Sequence, residues 1–162
     1  DYIHKITDEL NQTQTISSTS STISALLNSK KLICDDNKIA FDTQLDFNNI
    51  YINDFTLITV LGNILDNAIT AASKLDNGYI NLAIKQADTY LAIHCENNHH
   101  EKIKKREGRF ISSKPSSGSK ANPLHGLGLI SVTNNVNKYG GTIDINYNDT
   151  TFIVDILIPN YR

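Results

Sequence analysis

The chain has 162 residues, of which 40% are hydrophobic, and a net charge of −2 at pH 7 with a pI near 6.2. This length suits one domain with a substantial core, and the mildly acidic charge lacks the basic footprint of a nucleic-acid-binding protein. We therefore expect no nucleic-acid partner. The sequence has no run of about 18 apolar residues that would indicate a membrane span, and no charged-then-apolar leader that would indicate secretion.

The two cysteines, Cys34 and Cys95, are far apart in the sequence and form no Cys-x-x-Cys motif. This spacing favours reduced thiols in a cytosolic setting over a disulfide or metal framework. The chain contains no Met and begins in helical rhythm, so we interpret it as a piece of a longer protein.

The first 19 residues are predicted to be the end of one helix followed by a joint. Tyr2, Ile3, Ile6 and Leu10 fall on one face of a helix over residues 1–11. The Ser/Thr-rich stretch "TQTISSTSSTIS" follows, and these side chains bond to the backbone and weaken helix interiors.

Two helices and a strand come next in the predicted order. "SALLNSKKLI" has a helical pattern, residues 38–45 alternate as a strand, and residues 53–75 give the clearest helix, with Asp54 as its expected N-cap. The apolar stripe of that helix has a period near 3.6 and comprises Leu57, Leu61, Ile64, Leu65, Ala68 and Ala72.

The second half of the chain adds two hairpins, a long loop and another helix. The hairpin strands are predicted at residues 79–86, 90–97, 142–148 and 151–159. Polar residues 98–124 are predicted to be a functional lid or disorder. A helix follows "HGLGL" and runs to about Lys138, before a glycine cap. The predicted fold class is an α/β two-layer sandwich, in which helices cover one face of a mixed sheet of about five strands.

Two pairs of residues are candidates for binding a ligand. Asn63 and Asn67 share one helix face, and carboxamide oxygens suit Mg²⁺, although a merely solvated face is the common reading of two helical asparagines. Gly126 and Gly128 allow backbone N–H groups to approach a phosphate at a helix N-terminus, although a tight turn without a ligand is the alternative.

These motifs carry a resemblance to a known family. "NILDNAITAA", followed about sixty residues later by "HGLGL", resembles the N-box and second glycine box of the GHKL ATPases, which include gyrase, the heat-shock chaperone, histidine kinases and MutL. Together with "ISSK" and "FIVDILIP", they resemble the kinase domains of peptide-sensing histidine kinases of the accessory-gene-regulator type. The resemblance implies a Bergerat-type ATP-binding catalytic domain over residues 20–162, with a lid at about 98–124.

The resemblance implies roles for the two residue pairs. Asn67 matches the asparagine that coordinates Mg²⁺, and Asn63 matches the asparagine that lines the nucleotide site one turn earlier. Gly126 and Gly128 match the glycines whose backbone wraps the phosphates of ATP.

The resemblance also implies lid and base contacts. Ser113 and Lys114 match the hydroxyl-plus-lysine pair of the lid, and His125 can add a donor. The Asp-x-Gly-x-Gly segment that usually holds the adenine amino group is missing, and the chain has "ENNHH" in its place. Asn97 is the adenine-site candidate, because its carboxamide oxygen can still accept a hydrogen bond, although without charge.

Two other clusters have simpler interpretations. His99 and His100 with Cys95 suggest a metal site, but no further ligand pair completes it, so exposed lid histidines are favoured. "KIKKRE" is short and lacks interleaved aromatic residues, which favours a solvated lid over a nucleic-acid patch.

The resemblance implies that the domain transfers the γ-phosphate of ATP to a histidine outside this stretch, in a homodimeric two-component kinase. The acceptor helix belongs to the same or the partner subunit, and a response regulator is the next partner. We expect quorum sensing by a membrane-anchored protein with this domain in the cytoplasm. The alternatives are a non-catalytic GHKL-fold signalling module and an ATPase of the gyrase or MutL type.

His4 lies on the predicted first helix but is not expected to accept phosphate. Its neighbour Lys5 cannot act as a base while protonated, and one short helix leaves no room for a two-helix hairpin. We predict that residues 1–11 end the second hairpin helix.

Overall fold

The computed structural model describes residue 16 and residues 18–100, 104–106, 109–111 and 124–162. The described helices are α1 (Ser21–Asp36), α2 (Asp54–Ala72) and α3 (Leu124–Lys138). The described strands are β1 (Ala40–Asp46), β2 (Tyr79–Ala87), β3 (Tyr90–Asn98), β4 (Lys104–Arg106), β5 (Arg109–Ile111), β6 (Thr142–Tyr147) and β7 (Thr151–Pro159).

The main sheet has five strands in the order β1-β2-β3-β7-β6. Strands β1 and β2 pair in parallel because α2 lies between them in the chain, and the remaining neighbours pair antiparallel. The predicted mixed sheet is confirmed. Alternate residues of β3 (Leu91, Ile93 and Cys95) are buried, whereas those between them are half-buried, so one face of the sheet carries the core.

Helix α2 is the central helix of the other layer. It has 19 residues with a mean hydropathy of 1.4, which is long and apolar enough to cross a bilayer, but half of that stretch is buried inside the domain. Its fully buried side chains include Leu61 and Leu65 of the predicted stripe. The periodicity therefore predicted the core face of α2 correctly.

The caps of the helices differ in detail from the sequence prediction. The N-cap of α2 is Asn53, whose Oδ1 accepts a hydrogen bond from the Thr56 N–H at 2.8 Å, so the prediction of Asp54 was wrong by one residue. Asp54 is instead the first helical residue, where its charge favours the helix N-terminus. Helix α2 ends at Ala72 and not at residue 75, and the predicted left-handed glycine after α3 is Gly140, with φ of 73°.

Gly141 marks a close approach between the end of α3 and the sheet. A Cβ built on Gly141 would lie 2.5 Å from the Leu157 carbonyl oxygen and 3.1 Å from Val136 Cγ1. Only glycine fits there without displacing backbone.

Some of the described residues in the stretch predicted as a loop belong to regular elements. Asn98 still belongs to β3, and the short hairpin β4–β5 lies within the predicted loop. Helix α3 begins at Leu124, so "HGLGL" forms its first turns and does not precede it. The predictions for residues 1–11, including His4, lie outside the described residues.

Candidate functional site

Helices α2 and α3 run antiparallel, and their two ends differ. At one end, the Asn53 side-chain amide before α2 donates a hydrogen bond to the Tyr139 hydroxyl just after α3. At the other end, Gly128 near the start of α3 faces Asn63 and Asn67 of α2. Gly128, one of the predicted phosphate residues, therefore lies against the two asparagines of α2.

Gly128 leaves space between the two helices. A Cβ built on it would lie 3.6 Å from Asn63 Oδ1 and 3.9 Å from Asn67 Nδ2, which are ordinary contact distances. Its φ is not positive, so neither crowding by the described residues nor backbone strain requires glycine here. Because glycine costs a helix about 1 kcal/mol relative to alanine, a ligand that approaches the backbone is the better reason for it.

Asn63 and Asn67 are both half-buried, so they are not a fully solvated face. They turn toward the α3 side of α2, whereas Asp66 between them is exposed and pairs with Lys30 of α1 at 2.6 Å. The carboxamides therefore line the cleft, and the carboxylate points away from it.

The end of β3 lies at the same end of the domain. Gly78, which precedes β2, lies against Ala72 in the last turn of α2. The backbone N–H of Tyr79, the first residue of β2, donates a hydrogen bond to Asn98 Oδ1 at the end of β3, at 2.8 Å. Asn97 continues the buried face of β3 and is 4% exposed. Its Nδ2 donates to the Asn98 carbonyl at 3.0 Å, which leaves Oδ1 as its acceptor.

His99 was expected to be an exposed lid histidine, and this prediction was wrong. The residue is only 5% exposed, because the alternation of β3 continues one residue past the strand and turns its ring to the helix side. The same period-2 pattern in the sequence, followed from Leu91 to Asn97, would have predicted this burial. His100 is exposed, as expected.

The cysteine near this end, Cys95, is buried and forms no disulfide. Burial raises the pKa of the Cys95 thiol to about 12, with smaller contributions from Cys34 and Glu96. In the described part of the chain, no three His, Cys, Asp or Glu side chains are grouped to hold a metal ion. A metal at this end would need carboxamide, water and phosphate oxygens as ligands.

The structure describes only some of the remaining predicted residues. His125 and Gly126 lie in the first turn of α3, whose backbone N–H groups have no partner within the helix and can bind a phosphate. Ser113 and Lys114 lie outside the described residues.

These features fit Mg²⁺ and a nucleotide. The two carboxamides can supply oxygen ligands to Mg²⁺, and the N-terminus of α3 can donate hydrogen bonds to a phosphate. Both lie at the cleft beside Gly128, where no side chain blocks the backbone. The buried end of β3 adds hydrogen-bonding groups for a base.

Comparisons with known proteins identify the family and the fold of this chain. The sequence profile of the GHKL domain family matches residues 52–159. No curated protein sequence gives a significant match. The chain therefore belongs to the GHKL domain family.

Within that family, the fold is that of the histidine kinase catalytic domains. The catalytic domain of histidine kinase ThkA superposes with a TM-score of 0.64 at 19% identity, covering 86% of this chain and 91% of that one. Acinetobacter baumannii histidine kinase AdeS gives 0.62 at 19% identity, covering 94% and 72%. The mycobacterial sensor histidine kinase MprB gives 0.61 at 17% identity, covering 85% and 95%.

Proposed function

We propose that this domain binds Mg·ATP and is the catalytic domain of a two-component sensor histidine kinase. In this proposal it presents the γ-phosphate to a histidine on a separate helical hairpin. The observation that carries the proposal is the placement of Gly128, at the start of α3, directly against Asn63 and Asn67. Phosphoryl transfer requires mostly positioning and charge neutralisation, which such a cleft can supply.

Each residue of the cleft has a proposed task. The Asn67 carboxamide oxygen holds Mg²⁺, and Asn63 lines the nucleotide site beside it. The magnesium ion neutralises phosphate charge when it is bound. The backbone of Gly126 and Gly128 lies along the phosphates, and His125 adds a donor at the same helix start.

The lid and the base site complete the proposal. Ser113 and Lys114 contribute a hydroxyl and a positive charge to the phosphates from the lid. Asn97 accepts a hydrogen bond from the adenine amino group through Oδ1. Because a carboxamide lacks the charge of an aspartate, we expect weaker nucleotide binding than in relatives with that residue.

The wider assembly follows from the family resemblance. We propose that the full-length protein is a membrane-anchored homodimer with this domain in the cytoplasm, and that it senses a peptide in quorum sensing. The phosphoryl group passes from ATP to a histidine of the same or the partner subunit and then to a response regulator.

Calorimetric titration with a non-hydrolysable ATP analogue tests the binding step. We expect saturable binding that requires Mg²⁺, because the site pairs one protein carboxamide with phosphate oxygens around the ion. No binding at millimolar nucleotide, in a sample that thermal unfolding shows to be folded, would contradict the proposal. Incubation with labelled ATP should give no phosphohistidine on this chain alone, and label lost on His4→Gln would overturn the prediction for His4.

A non-catalytic signalling module is the second candidate function. It is favoured by one observation, the replacement of the Asp-x-Gly-x-Gly segment by the residues around Asn97. Asn67→Ala in the full-length protein separates the two candidates: a kinase loses signalling, whereas a module keeps it. Steady ATP turnover by this chain alone would instead indicate an ATPase of the gyrase or MutL type.

A further inference from the structure

We propose that His99 is a second base-recognition residue, whose Nδ1 accepts a hydrogen bond from the amino group of adenine. This inference rests on the proposed function and deepens it, because it assigns base specificity to a second residue of the "ENNHH" segment besides Asn97. Its basis is a buried acceptor atom that has no partner.

The His99 ring is held by its surroundings. The backbone N–H of His99 donates to the Thr150 carbonyl at 2.9 Å, and Nε2 lies 2.9 Å from the Asn148 carbonyl oxygen. A carbonyl oxygen only accepts hydrogen bonds, so Nε2 must carry the hydrogen. In the neutral ring, Nδ1 therefore has a free lone pair.

That lone pair is not used by the protein. Across the residues that the structure describes, His99 Nδ1 is fully buried and has no hydrogen-bond partner. A buried polar atom without a partner is unfavourable, and such atoms are rare in folded proteins. A ligand that brings an N–H group to Nδ1 would remove this cost.

The position of His99 points to a nucleotide base as that ligand. His99 and Asn97 are two residues apart on the same face of the sheet, which separates their backbones by about 7 Å. Both lie on the helix side of the sheet. They are at the end of the domain that also contains Asn67 and the start of α3.

The chemistry of the acceptor selects among bases. Adenine has an amino group at its 6-position, whereas hypoxanthine and guanine have a carbonyl oxygen there. An acceptor facing that oxygen would leave two lone pairs opposed and unpaired. A site that depends on a hydrogen bond discriminates strongly against a ligand that lacks the donor.

The first experiment compares ATP with purine riboside triphosphate, which lacks the 6-amino group, on His99→Gln. The glutamine amide can keep the hydrogen bond to Asn148 but has no acceptor at the position of Nδ1. We expect the substitution to weaken ATP binding about tenfold and to leave binding of the analogue unchanged. His94→Gln is the matched control, because His94 lies on the opposite face of β3, where Nδ1 bonds Asp155 at 2.6 Å. It should change neither affinity.

Equal weakening of both nucleotides by His99→Gln, or unchanged ATP binding, would overturn the inference while leaving the proposed function in place. No binding of either nucleotide to the unsubstituted protein would overturn the proposed function and the inference with it.

A second measurement needs no variant and so does not depend on how His99→Gln folds. The ¹⁵N resonance of His99 Nδ1 in the unsubstituted protein should move when ATP is added and stay in place with purine riboside triphosphate. An identical response to both nucleotides would contradict the inference.

Discussion

The two ends of the α2–α3 pair contain the same helices but are built differently. One end is closed: Asn53 bonds Tyr139, Leu57 and Val136 are buried, and Gly141 lets the chain pack against the sheet. The other end is open and polar, with Asn63 and Asn67 against Gly128. Glycine serves close packing at the closed end, whereas at the open end it leaves space.

One pair of helices thus supplies stability at one end and a candidate site at the other. Apolar burial at the closed end fixes the distance between the helices, and the polar end can then bind a ligand without forming the core. Substitutions at the closed end should change the free energy of unfolding, and substitutions at the open end should change nucleotide affinity.

The largest effect is expected from Asn67→Ala. Loss of the proposed magnesium ligand should weaken Mg·ATP binding by about 100-fold or more. Thermal unfolding should change little, because alanine is the better helix former. Calorimetry on the variant checks the affinity, with Asp66→Asn as control, since Asp66 is exposed and its ion pair with Lys30 contributes at most about 1 kcal/mol. Equal binding by Asn67→Ala and the unsubstituted protein would contradict the assignment of Asn67 as a magnesium ligand.

Gly141→Ala, at the closed end, should lower stability and leave nucleotide affinity unchanged. The new Cβ would meet the Leu157 carbonyl oxygen, so the free energy of unfolding should fall by about 1–3 kcal/mol. Nucleotide affinity of the folded fraction should not change. Gly62→Ala is the control, because a Cβ there meets nothing within 4 Å and should stabilise the helix by about 0.5–1 kcal/mol. Denaturant unfolding measures both variants, and similar values for the two would contradict the assigned close contact.

Gly128→Ala should separate stability from binding within a single residue. Alanine fits at ordinary contact distance, so the domain should become more stable by up to about 1 kcal/mol. The methyl group occupies the proposed phosphate cradle, and we expect about tenfold weaker ATP binding. Denaturant unfolding and calorimetry on the same sample give both numbers. A variant that is more stable and binds equally well would show that the space is not used by nucleotide.

The smallest effect concerns the core beneath the open end. Burial raises the pKa of Cys34 to about 11 and that of Cys95 to about 12. A thiol reagent at pH 8 should therefore label both cysteines only when the domain unfolds. This result would show that the cleft lies at the surface and does not extend into the core. Rapid labelling of Cys95 in the folded protein would contradict this.

The same pKa values predict how stability depends on alkaline pH. The folded state keeps both thiols protonated, whereas unfolded thiols ionise above about pH 9. The contribution of the two thiols to the free energy of unfolding should thus be unchanged well below pH 9 and should fall from about pH 9 up to the folded pKa values of about 11 and 12. The decline should be shallower in Cys34→Ala with Cys95→Ala, as denaturant titrations at each pH would show.

The sequence predicted the features that rest on periodicity and composition. The apolar stripe of α2 gave its core face, and the alternating segments gave the five strands of the sheet. The resemblance brought Asn63, Asn67 and Gly128 together as candidates, and the structure places them in one cleft. Their binding roles stay predictions.

The sequence predictions were wrong where neighbouring residues are chemically alike or where the surrounding structure determines burial and pairing. Asn53 and Asp54 are both good caps, and the structure selects Asn53, which has extended backbone and accepts the hydrogen bond from the Thr56 N–H. His99 sits in a polar stretch, so its composition indicated a loop although the strand pattern continued through it. The strands of the hairpin β4–β5 have only three residues each, which is too short for an alternating pattern to be detected in the sequence.

The most direct test of the account is to map backbone amide shifts on addition of Mg²⁺ and an ATP analogue. We expect large changes at Asn63, Asn67 and Gly128 and at Asn97, with little change at Tyr139 of the closed end. Changes centred on Tyr139, or spread evenly over both ends, would contradict a nucleotide site in the open end of the α2–α3 pair.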